Sequence, residues 1–150
     1  MTRLRLALAL TALLSSGACR ASDAASVSDG PEAVVRAHLE AENAHDVAQI
    51  LATLADTVDL HVVGTSGRDS VVVLDRAALR RNYERAVSAT PQSHFTALSQ
   101  IVSGPLVVSR EEVRGLPDGS RAVGLAMYRV ARGRIVALWI LNSEGPKSGS

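Results

Sequence analysis

The chain has 150 residues, enough for one domain with a buried core. It is 47% hydrophobic and 21% charged with a formal charge of +1 and interleaved signs, which excludes a disordered polyelectrolyte and a basic nucleic-acid surface. One Trp, two Tyr and one Phe cannot build a stacking platform for bases, and a single Cys excludes an intramolecular disulfide and a cysteine metal cluster.

In chain order, the first segment reads as a targeting leader. Arg3 and Arg5 precede an apolar run over residues 6–14, followed by Ser15, Ser16, Gly17 and Ala18. The run is shorter than the roughly 20 apolar residues a membrane helix needs. Ser16-Gly17-Ala18-Cys19 resembles the bacterial lipobox, whose cysteine is lipidated and becomes the mature N-terminus, with Ser16 standing where an aliphatic residue is usual. Small residues at Ser16 and Ala18 also fit ordinary cleavage after Ala18, which would leave Cys19 as a free thiol. The expectation is a signal peptide over residues 1–18, lipidation at Cys19, a tether over 19–28, a domain over 29–142 and a disordered tail over 143–150. Such a protein sits on the bacterial cell envelope facing the periplasm, or is secreted if Cys19 is not lipidated. Without Arg3 and Arg5, 14 basic residues face 15 acidic ones, so the membrane anchor would be lipid rather than electrostatic.

Asp29-Gly30-Pro31-Glu32 predicts a helix start with Asp29 as cap, and Val34, Val35, His38, Leu39 and Ala41 recur at helical spacing up to about Asn43. Asp46 followed by Gln49 caps a second helix whose buried face is Val47, Ile50, Leu51 and Leu54. Residues 58–63 and 71–74 read as strands around a glycine-containing loop. Asp75 then caps a third helix over 76–88, stopped by Thr90-Pro91. The rest is β: strands over 94–102, 106–114, 121–130 and 134–141, the last two joined by Ala131-Arg132-Gly133. The order α-α-β-β-α-β-β-β-β predicts an α+β fold: a cone-shaped curved antiparallel sheet with three helices from the N-terminal half packed on its concave face.

The last two strands are apolar on both faces. Val123, Leu125 and Met127 alternate with Ala126, Tyr128 and Val130, and Ala137 and Trp139 alternate with Leu138 and Ile140. Helices cover one face only, so the other is expected to pair with a second copy of the sheet in a homodimer.

Val34-Val35-Arg36-Ala37-His38 through Asn43-Ala44-His45-Asp46, then Leu54-Ala55-Asp56-Thr57-Val58, resembles the opening of nuclear transport factor 2-like (SnoaL-like) proteins. Tyr128-Arg129-Val130, Gly133-Arg134-Ile135 and Trp139 resemble their closing hairpin. The resemblance implies a cone with an apolar pocket, often dimeric through the sheet, in a superfamily of isomerases, cyclases, dehydratases, epoxide hydrolases and non-catalytic binding domains. It sets His61, His38 and Ala126 where ketosteroid-isomerase-like members carry a strand base, a helix donor and a protonated acid. Ala126 cannot donate, so the ordinary ketosteroid isomerase set is incomplete.

Asp59 and His61 share a strand face, and Asp59 could orient His61 as a general base if that face lines the pocket. The other arrangement buries Val58, Leu60 and Val62 and turns both toward solvent. His38 is a candidate donor, and Tyr83, Arg110, Met127 and Trp139 are candidate ligand contacts. Asp59 and Arg110 supply two members of an epoxide-hydrolase-type Asp-Arg-Asp group, without a third. The spacing of the His residues supports no metal site, Gly64-Thr65-Ser66-Gly67 lacks the Lys and helix of a phosphate loop, and no nucleophile elbow occurs, so no cofactor is expected. The functional expectation is a domain that binds a small, mostly apolar molecule, against a cofactor-independent isomerase, cyclase or hydratase using His61 and Asp59.

Overall fold

Two aspartate caps and a tight glycine turn punctuate the chain as the sequence predicts. The computed structural model describes residues 30–63 and 69–141. The leader, Cys19, the tether, the tail and most of the loop after the first strand lie outside the described residues.

The elements are α1 (Pro31–Asn43), α2 (Val47–Thr53), β1 (Leu54–Val63), β2 (Asp69–Asp75), α3 (Arg76–Ala89), β3 (His94–Ser103), β4 (Leu106–Arg114), β5 (Ala122–Ala131) and β6 (Arg134–Leu141). Asp46 accepts the Gln49 N–H at 3.0 Å to start α2, and Asp75 accepts the Ala78 N–H at 2.7 Å to start α3. At α1 the expected cap is displaced by one residue: Gly30 holds the N-cap position with no side-chain bond, and Pro31 follows at the first helical position. β1 starts at Leu54, four residues before the predicted strand, and its pairing with β6 shifts between Leu54 and Asp59. This irregularity lets Leu54 close the helical core while the residues after it enter the sheet. In the β5–β6 turn Arg132 and Gly133 both take positive φ, of 52° and 70°, as a two-residue hairpin requires. Gly115 is fixed by a different constraint, because a Cβ there would collide with the Gln92 carbonyl.

The six strands form one curved, unclosed sheet in the order β2-β1-β6-β5-β4-β3. It is mixed rather than antiparallel throughout, because β1 and β6 pair in parallel. The cause is the α3 crossover. A helix carried across the sheet face returns the chain in the direction it left, so β3 runs like β2. Three antiparallel steps through β4 and β5 then bring β6 beside β1 in the same direction.

The helices lie on the concave face. Val35 and Leu39 of α1, Ile50 and Leu51 of α2 and Leu79 of α3 pack with Val58, Val107, Tyr128 and Leu138 of the sheet. Burial of each large aliphatic side chain contributes roughly 2 kcal/mol. Arg76 binds α3 to the end of α2 by donating to Leu51 O at 2.9 Å. On the convex face, register places Ile101, Val108, Met127, Trp139, His61 and Val71 in one row across all six strands.

Candidate functional site

Strand alternation sends Leu60, Leu138, Tyr128 and Val107 inward on the row next to Trp139, and with them the residues two steps along each strand. Between this surface and α1, α2 and α3 lies a cavity with two lobes that share Glu42, Phe95, Leu138 and Ile140. One lobe, about 180 Å³, reaches His38, Glu111, Ala126 and Tyr128. The other, about 250 Å³, runs between Leu60, Leu74, Leu79 and Tyr83.

The first helix holds the polar end in place. Asn43, at its last turn, donates to Phe95 O at 2.9 Å and accepts the Phe95 N–H at 2.7 Å. This two-way clamp ties α1 to β3 and holds the Phe95 ring in the wall shared by the lobes. One turn earlier, His38 is buried. Thr53 donates its only hydroxyl proton to Ile50 O at 2.7 Å, so it must accept from His38 Nδ1–H, also at 2.7 Å. That assigns the His38 tautomer and leaves Nε2 as an acceptor. Tyr83 O–H faces Nε2 at 3.3 Å and Glu42 Oε1 lies 3.5 Å from it.

The electrostatics agree with that assignment. Burial lowers His38 from 6.5 to about 4, so its ring is neutral at pH 7. Burial first, and the nearby Glu111 second, raise Glu42 from 4.5 to about 8. The His38–Glu42 contact is therefore an imidazole facing a carboxylic acid and not an ion pair, which removes the cost of burying two charges. Glu111 is raised by burial, against hydrogen bonds from Ser109 and from Tyr128, whose hydroxyl donates at 2.9 Å. Tyr83 and Tyr128 are both pushed well above the usual phenol value, first by burial.

Of the residues singled out from sequence, His38 and Tyr83 meet in this cavity. Asp59, His61, Arg110, Met127 and Trp139 do not reach it, being on the convex face. There His61 stacks on Trp139 with ring centroids 4.5 Å apart, and Asp59 faces the Arg129 guanidinium at 3.7 Å. The strand period decides this: Val58 and Leu60 pack inward, so the residues between them point out. Glu42, Glu111, Tyr128, Thr53 and Phe95 were not singled out. Glu42 had one signal, its position four residues after His38 on the same helix face. The described residues contain no group of three or more His, Cys, Asp or Glu placed to hold a metal ion.

A family model described as the SnoaL-like domain matches residues 35–138. No curated protein matches the sequence. Among solved structures, the chain is similar to a proposed ketosteroid isomerase of Kribbella flavida, at 18% identity and TM-score 0.63, with 80% of this chain and 82% of that one covered. It is similar to IdmH of Streptomyces antibioticus, a proposed polyketide cyclase, at 25% identity and TM-score 0.60 over 73% of this chain and 89% of that one. It is also similar to RV0760c of Mycobacterium tuberculosis, at 20% identity and TM-score 0.63 over 74% and 90%.

Proposed function

The chain belongs to the SnoaL-like domain family, and from that premise we propose that it binds a small, mostly apolar organic molecule in the cavity under its helices. The observation that carries this reading is a two-lobed cavity with aliphatic walls and one polar end, where His38, Glu42 and Tyr83 meet. Walls of this kind hold an apolar body by area, and the polar end orients it. Amide NMR with a panel of hydrophobic ketones, alcohols, amines and acids is the test. The expected result is shifts at Leu60, Leu74, Phe95 and Leu138. A panel that moves none of them overturns the reading.

A second reading is favoured by one pair of groups. Glu42 keeps its proton near neutral pH while the unprotonated His38 Nε2 beside it is an acceptor, a pairing of acid and acceptor that cofactor-independent proton transfer uses. The similarity to a proposed polyketide cyclase fits such chemistry. In this reading Glu42 and His38 take the roles expected of His61 and Asp59. Glu42→Gln would then abolish turnover of a bound carbonyl substrate while leaving its binding measurable.

The leader supports a place for this domain on the exported side of the membrane, held by a lipid at Cys19. Mass spectrometry of protein expressed with its own leader is expected to show diacylglyceryl at Cys19, and an unmodified or missing Cys19 overturns the anchor. The convex apolar row supports a homodimer through that face. Light scattering is expected to give twice the chain mass, reduced to one chain by Ile101→Glu; a single-chain mass without the substitution overturns it.

A further inference from the structure

The lining of the cavity is unusual in its charge. Across both lobes the ionisable lining groups among the described residues are Glu42, Glu111, His38 and two tyrosines, with no Lys or Arg. Glu111 is the clearer anomaly. Tyr128 and Ser109 both give it hydrogen bonds, which is the surrounding of a carboxylate that accepts, yet among the described residues no guanidinium or ammonium faces it. Its neighbour Glu112, on the other face of the same strand, has two arginines. The aromatic distribution is equally one-sided. The chain has one Phe and two Tyr, and Phe95, Tyr83 and Tyr128 all line this cavity.

Resting on the reading of the cavity as a ligand site, we infer that the ligand is an amphiphilic amine, an apolar ring or short chain carrying one ammonium group. The aliphatic lobe between Leu60, Leu74 and Leu79 takes the body. The ammonium lies at the acidic end, where Glu42 and Glu111 supply the counter-charge and the rings of Phe95 and Tyr128 supply the negative π faces that attract organic cations. A ligand cation completes the ion pair that the described residues leave open, and its three or fewer N–H groups find carboxylate acceptors. A neutral ketone would use only one donor, from Glu42, and would leave Glu111 without a counter-charge.

The two ligand types have different pH signatures. The groups facing Glu42 are His38 on its own helix, His45 in the turn after it, Tyr83 from α3, Glu111 from β4 and Tyr128 from β5. β1, β3 and β6 present Leu60, Phe95 and Leu138, which do not titrate. Glu42 holds its proton up to about 8 in the free protein. An ammonium therefore binds with release of that proton to solvent. Its affinity rises about tenfold per pH unit until Glu42 ionises unaided, then levels until the amine itself loses its proton near ~10. A ligand that accepts the Glu42 proton binds with constant affinity over that range and weakens only as Glu42 ionises above about 8.

Calorimetry with cyclohexylmethylamine, cyclohexylmethanol and cyclohexyl methyl ketone tests this, in two buffers of different ionisation enthalpy. The expected result is an amine at least about tenfold tighter than the alcohol at neutral pH, with net proton release and affinity rising with pH. Glu42→Gln and Glu111→Gln should each narrow the amine-to-alcohol ratio, and the proton count on the unmodified protein serves if either variant fails to fold. An amine no tighter than the alcohol, or one that binds without releasing a proton, overturns the inference while alcohol or ketone binding preserves the cavity as a ligand site. Failure of all three to bind overturns both.

Discussion

Glu111 and Glu112 are adjacent in β4 and almost equally covered, at 8% and 7% exposure, yet their electrostatics are opposite. Glu111 points into the cavity, where burial raises it against the two hydroxyls that bind it. Glu112 points to the convex side and is lowered by Arg114, which donates to it at 2.7 Å, and by Arg121 at 3.2 Å. The difference lies in what covers each carboxylate. Exposed guanidinium groups screen Glu112 while keeping it solvated as an ion pair. Aromatic and aliphatic side chains cover Glu111 and supply no charge. One step along a strand thus separates a surface ion-pair site from a binding cavity.

The largest test of this contrast is packing. Ile135→Ala, at a fully buried position, should cost about 3 kcal/mol in urea unfolding at any protein concentration, whereas Ile101→Ala, 70% exposed on the convex row of a single chain, should cost under about 0.5 kcal/mol at concentrations low enough to separate the dimer. A larger loss at Ile101, dependent on protein concentration, would show that the convex face is covered in solution.

The next effect is on pH. His38, lowered to about 4, leaves the unfolded state binding the extra proton below 6.5, while Glu42, raised to about 8, leaves the folded state binding it above 4.5. Between 4.5 and 6.5 the two offset each other. From 6.5 to 8 Glu42 acts alone of the two. Stability should therefore fall by about 2 kcal/mol over that window, and Glu42→Gln should remove most of the slope. A flat profile would mean that Glu42 is ionised in the folded protein.

Tyr128→Phe removes the hydroxyl that binds Glu111 and should cost about 1 kcal/mol near neutral pH, read from the unfolding midpoint. It should also raise Glu111 further, which carbon-detected NMR titration of the carboxyl would record. The smallest effect belongs to Glu112→Gln. Glu112 is lowered in the folded state, so its contribution is present above 4.5 and lost as pH falls through its folded value. The variant should flatten only the acid end of the stability profile, by an amount that shrinks with added salt because both arginines are exposed.

Local chemistry was legible because it acts over one turn. The Asp46 and Asp75 caps, the end of α1 at Asn43 and the positive-φ hairpin at Gly133 all depend on near neighbours in the chain. The β1–β6 pairing was not, since its direction follows from where α3 sets the chain down. The same limit hid half the site. In β4 the sequence offered Arg110, which faces the convex side, while the helices cover the intervening Val107, Ser109, Glu111 and Val113, the last two of which line the cavity.

By itself, then, the sequence determined the element order, the caps, the α+β class and the presence of two apolar sheet faces, because periodicity and capping are properties of contiguous residues. Only the tertiary structure decided which face met the helices. That choice removed water from Glu42 and Glu111 and left Asp59 and His61 outside, since desolvation depends on what packs above a side chain and not on its neighbours along the strand.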